Sequence, residues 1–130
     1  MTVVLRFSTK MFDVTREREN PINPIPGESL LRWLNTRLGH GARLTDPDPE
    51  DWGWYSYVEW DGAQYMLGSS ASEEEEGKHE WVLQIVRQRS LKERWLGHGK
   101  ATVEDPCVKS ILKLLLAEQQ FERVAVEGET

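Results

Sequence analysis

From Trp54 to Gln88 the side chains alternate in character at every second residue, the period of an extended strand. Trp54, Ser56, Val58 and Trp60 fall on one side of the first run, while Tyr55, Tyr57 and Glu59 fall on the other. Asp61-Gly62 follows, a pair that tolerates the positive φ angles of a two-residue hairpin. The return run sets Tyr65, Leu67 and Ser69 against Gln64, Met66 and Gly68. A third run, Glu80 to Gln88, places Trp81, Leu83 and Ile85 opposite Glu80, Val82, Gln84 and Val86. The three runs predict an antiparallel meander.

The remaining pattern flanks this meander. Val3 to Val14 is rich in β-branched and aromatic residues and predicts an opening strand, with a break near Ser8-Thr9-Lys10. Pro21, Pro24 and Pro26 exclude a regular helix or central strand from Arg16 to Pro26, because each removes a donor and restricts its predecessor. Leu30, Leu31, Trp33, Leu34 and Leu38 keep the 3.6-residue period and predict a helix from Glu28 to a glycine cap at Gly39. Asp46-Pro47-Asp48-Pro49 and Ser72 to Lys78 read as two acidic loops, and Leu91 to Leu96 as a short helical turn. Asp105-Pro106 supplies an N-cap and a first-turn proline to a second helix carrying Cys107, Val108, Ile111, Leu112, Leu114, Leu115 and Leu116. Phe121, Val124 and Val126 predict a closing strand before a polar tail from about Gly128. The expected class is α+β: a mostly antiparallel sheet of about five strands with two main helices, in the order β-α-β-β-β-α-β. Residues 1–130 are expected to form a single domain.

Charge narrows the function classes. The formal net charge is −6, and between Thr45 and Glu80 eleven acidic residues face the single Lys78. Such a zone repels a phosphate backbone, so nucleic acid is disfavoured as a partner. No apolar run is long enough to span a bilayer. A lone cysteine, Cys107, and the lack of a signal-like start lead to a cytoplasmic expectation.

No spacing names a reaction. Two Gly-His-Gly units, around His40 and His98, could join His79 at a metal, yet they match no compact zinc pattern and also suit helix ends. Cys107, at the second position of the later helix, could be an activated thiol, but it shares a face with Ile111, Leu114 and Leu115 and is expected to be a core residue. Neither catalytic residues, nor a metal, nor a cofactor is assigned. Six tryptophans exceed the evident needs of the core. Trp52, Tyr55 and Tyr57 lie beside acidic segments, the makeup of an interface anchor, and Glu73, Glu74, Glu75 and Glu76 form a negative run. The expected function is a small acidic protein-binding module of the inhibitor, immunity or adaptor type, using these seven residues to engage a basic protein. The alternative is a small-molecule-binding domain or minor enzyme with a pocket between the sheet and the Pro-rich segment, using Glu59, His79 or His98.

Overall fold

A computed structural model describes residues 2–39, 41–88 and 103–129 of the chain. Its six strands are β1 (Thr2–Thr9), β2 (Asp48–Glu50), β3 (Gly53–Trp60), β4 (Ala63–Glu75), β5 (Lys78–Gln88) and β6 (Glu122–Glu129). Among the described residues two α-helices, α1 (Glu28–Arg37) and α2 (Pro106–Ala117), accompany them. The strands form one antiparallel sheet in the order β2-β3-β4-β5-β1-β6, so the first and last strands lie side by side. The class is α+β, with one strand more than the pattern predicted.

The hairpin between β3 and β4 forms as expected. Trp60 pairs with Ala63 across Asp61 and Gly62, whose φ angles of 51° and 80° match the right-handed twist of the sheet. Along the sheet, Leu5, Leu83, Leu67 and Val58 with their in-register neighbours point to one side. They merge with Leu30, Leu31 and Leu34 of α1 and Cys107, Val108, Ile111 and Leu115 of α2 into a single core. Every buried strand residue of that core belongs to the same alternating set, so both helices lie on one face.

Three differences from the sequence pattern have local causes. The segment read as a loop at Asp46-Pro49 contributes β2, and Pro49 is tolerated there because β2 is an edge strand. Most of the second acidic loop is strand as well: Ser72 to Glu75 extend β4 against β5, and Glu76-Gly77 alone make the turn, with Gly77 at φ 76°. Pairing with Lys78, His79 and Glu80 of β5, which sets Lys78 opposite Glu75, overrides the low strand propensity of glutamate. The first helix ends at Leu38, which takes an extended conformation, and the left-handed glycine is Gly41 rather than Gly39. The helical turn expected at Leu91 to Leu96 lies outside the described residues, as do His40 and His98.

Two carboxylates, Glu17 and Glu28, fasten the start of α1 to the segment that precedes it. Its N-cap, Gly27, has no side chain to offer, and Glu17 takes over, accepting from the Gly27 and Ser29 amides at 3.0 and 2.8 Å and from the Ser29 hydroxyl. Gly27 itself is seated so closely that a Cβ would come within 2.1 Å of the Ser69 carbonyl oxygen. Buried Glu28 accepts from the Arg18 amide and binds the Arg18 and Arg32 guanidinium groups. The Pro-rich segment is thereby held along the sheet edge, where Ala71 N–H donates to Pro26 O at 3.0 Å.

Candidate functional site

The face opposite the helices carries the aromatic residues singled out in the sequence. Tyr55 and Tyr57, two apart on β3, project to the same side and meet edge to face with ring centroids 5.7 Å apart. Trp52 precedes β3 and lies against Gly68, where a Cβ would approach its ring to 2.7 Å. Glycine at 68 is thus what lets the indole lie on the sheet. Across the register, Tyr57 aligns with Met66 and Val86, and Tyr55 with Gly68 and Gln84. No described helix covers this face. Asp48 pairs directly with Tyr55, and burial followed by the negative charge of Asp48 and Glu50 raises the Tyr55 phenol above its ordinary pKa. The aromatic group is therefore bordered by carboxylates from β2, which the reading of Asp46-Pro49 as a loop had concealed.

The four glutamates are not equivalent. Glu73 pairs with His79 and Glu75 with Lys78, so Glu74 is the extra residue of a β-bulge. A second bulge in β6 puts Arg123 at φ 55°, and the two irregular positions meet. Glu74 accepts from the Ser8 hydroxyl and pairs with Arg123 at 3.0 Å. Arg123 also donates to the Ser8 hydroxyl at 2.8 Å. Glu74 therefore closes one end of the sheet, while Glu73, Glu75 and Glu76 are exposed without an ion pair to any described residue.

The aromatic trio and the glutamate run do not form one continuous patch. Between them lies a cleft of about 330 Å³ lined by Ile25, Trp52, Ser70, Ser72, Glu80 and Val82. Glu80 and the β2 acids Asp48 and Glu50 are the surface residues that sequence reasoning missed. The alternation of β5 already set Glu80 opposite Trp81, but nothing local indicated that Ile25 and Trp52 would converge on it.

Glu59 and His79, the described residues of the alternative reading, do not come together. Two hollows lie between the Pro-rich segment and the sheet, one of about 180 Å³ and the Ile25–Trp52 cleft of about 330 Å³, and neither Glu59 nor His79 lines either of them. Glu59 borders a separate 470 Å³ hollow with Trp60, Asp61, Ala42, Pro106 and Ser110, where two carboxylates meet no described histidine or thiol. His79 is buried beside Trp81 on the helix side. Cys107 is fully buried, and burial reinforced by Asp105 pushes its thiol up to about 12. A thiol so placed is a poor nucleophile at neutral pH. Asp105 accepts from the Tyr65 hydroxyl and the Cys107 amide, each at 2.8 Å, and from Arg87. That buried network ties α2 to β4 and β5. Among the described residues no group of three His, Cys, Asp or Glu is placed to hold a metal ion.

No protein-family model matches the chain, and neither a curated protein nor a solved structure resembles it to a significant degree.

Proposed function

We propose that the chain is a small acidic protein-binding module whose open sheet face engages a basic protein, in the manner of an inhibitor, immunity protein or adaptor. One observation carries this reading: Trp52, Tyr55 and Tyr57 stand together on a sheet face that no described helix covers, bordered by Asp48 and Glu50. Large amphipathic aromatics lose little entropy on docking and dominate interface energetics, while surrounding carboxylates steer a cationic partner and repel nucleic acid. Glu73, Glu75 and Glu76 extend the negative field at the β4–β5 tip without being needed to close the sheet. The working compartment under this proposal is the cytoplasm.

The test is affinity capture from the native cell extract at low and moderate salt, run in parallel with Tyr55→Ala/Tyr57→Ala protein. A basic protein retained by the native chain, weakened by salt and lost with the double variant is the expected result. Retention of an acidic protein, or equal retention by both baits, refutes the reading.

A further inference from the structure

The cleft beside Trp52 has a lining that selects among basic groups. Ile25, Trp52 and Val82 supply apolar walls, and Ser70, Ser72 and Glu80 supply acceptors. Glu80 Oε1 takes Arg6 at 2.9 Å, whereas Oε2 has no hydrogen bond to a described residue. Arg6 is shared with a second carboxylate, Glu127, so this group of three keeps one net negative charge. Neither serine hydroxyl is engaged by a described side chain. Beside the cleft β4 runs on past the start of β3, paired with β5 alone among the described strands. Its pairing with β3 ends at Ser69 opposite Trp54, Ala71 bonds Pro26, and from Ser72 to Glu75 no described strand flanks the side away from β5.

We infer that this cleft seats an arginine side chain of the partner, carried on an extended segment that adds to the free edge of β4 at Ser72 to Glu75. The inference rests on the basic-partner reading above and specifies its docking element. A guanidinium is planar and weakly hydrated, so it stacks on an indole while its forked donors reach a carboxylate and nearby hydroxyls. Its methylene stem covers the apolar walls of Ile25 and Val82. A lysine ammonium satisfies the charge but not the stacking. An added strand gains main-chain hydrogen bonds from an open edge, and its alternate side chains are read by pockets on one face. The exposed glutamates exclude an apolar strand from that edge and favour a basic one.

The experiment titrates isotope-labelled protein with the capped peptide Val-Arg-Val-Arg-Val and with its lysine and citrulline counterparts, followed by amide and indole resonances. The arginine peptide is expected to shift the Trp52 indole and the Ser72 and Glu73 amides. It should bind roughly fivefold more tightly than the lysine peptide and tenfold more tightly than the citrulline one. Glu80→Gln should remove most of that preference, whereas Glu59→Gln, at an exposed carboxylate that does not line the cleft, should preserve it. Shifts confined to Tyr55 and Tyr57 overturn the cleft assignment and leave the basic-partner reading standing. Citrulline binding as tightly as arginine, or no response to any of the peptides, overturns both.

Discussion

Asp105 shows how much a single buried carboxylate can organise. It caps α2, accepts the Tyr65 hydroxyl through both oxygens and holds Arg87, with its side chain only 3% exposed. Asp105→Ala removes the cap and leaves the Tyr65 phenol without its acceptor in the interior, so it should destabilise the protein by about 3 kcal/mol. Urea unfolding measures this directly, and a loss under 1 kcal/mol contradicts the network described. Asp105-Pro106 was legible in the sequence as a cap followed by a proline, but its bond to Tyr65 was not, because forty residues separate them. Glu28 makes a parallel case with a pH signature. Burial opposes its ionisation, yet the Arg18 amide, the Arg18 guanidinium and Arg32 together hold its carboxyl below the ordinary value. A carboxyl lowered on folding stabilises fully above its unfolded pKa, about 4.3, and that stabilisation is lost as the pH falls through the folded value. Glu28→Gln should therefore cost about 2 kcal/mol at pH 7, with the difference from the native protein closing below about pH 4. A gap that stays constant from pH 7 to pH 3 excludes the linkage.

At the scale of elements, the meander was legible because its signals are local: strict alternation in β3 and β5 and an Asp61-Gly62 turn whose dihedrals few residues accept. The β4 extension was not, because four glutamates in a row resemble a solvated loop until β5 is placed beside them. Nor was the adjacency of β6 to β1, which joins the ends of the chain and leaves no trace in either segment. The connection from Arg16 to Pro26 read as irregular, yet its function in the fold emerges only from Glu17, Glu28 and Gly27 acting on α1 together. Glycine substitutions separate the two kinds of position. Gly27→Ala places a methyl 2.1 Å from the Ser69 carbonyl, a backbone atom that cannot swing aside. It should destabilise by about 1–3 kcal/mol. Gly39 has open space around its Cβ position and no positive φ, so Gly39→Ala should be neutral or stabilise by about 0.4–1 kcal/mol through the unfolded chain. Thermal midpoints moving in the same direction for both variants would show that α1 is not docked as described.

For the whole molecule, the asymmetry of the sheet is what connects fold to proposed function: helices on one face, aromatics and carboxylates on the other. Trp52, Tyr55 and Tyr57 could be picked from the sequence because alternation puts both tyrosines opposite the core, whereas the cleft that divides them from the glutamates needed Ile25, Ser72 and Glu80 to be brought together from three segments. That division makes a kinetic separation expected. Glu73, Glu75 and Glu76 are exposed rim charges that close no part of the sheet. Replacing those three with Gln should slow association with a captured basic partner roughly tenfold at low salt and flatten its salt dependence, with dissociation nearly unchanged. Glu74 is left out because its contacts with Ser8 and Arg123 would confound charge with stability. Tyr57 stands 37% exposed beside Tyr55, and Tyr57→Ala should leave association unchanged and speed dissociation by about thirtyfold, the equivalent of about 2 kcal/mol for a desolvated anchor. Surface plasmon resonance across a salt series reads both rates in one experiment. Association that ignores salt and the triple substitution alike would mean that the negative tip only keeps the β4 edge from pairing with other chains, and the steering half of the proposal would fall even if the aromatic half survived.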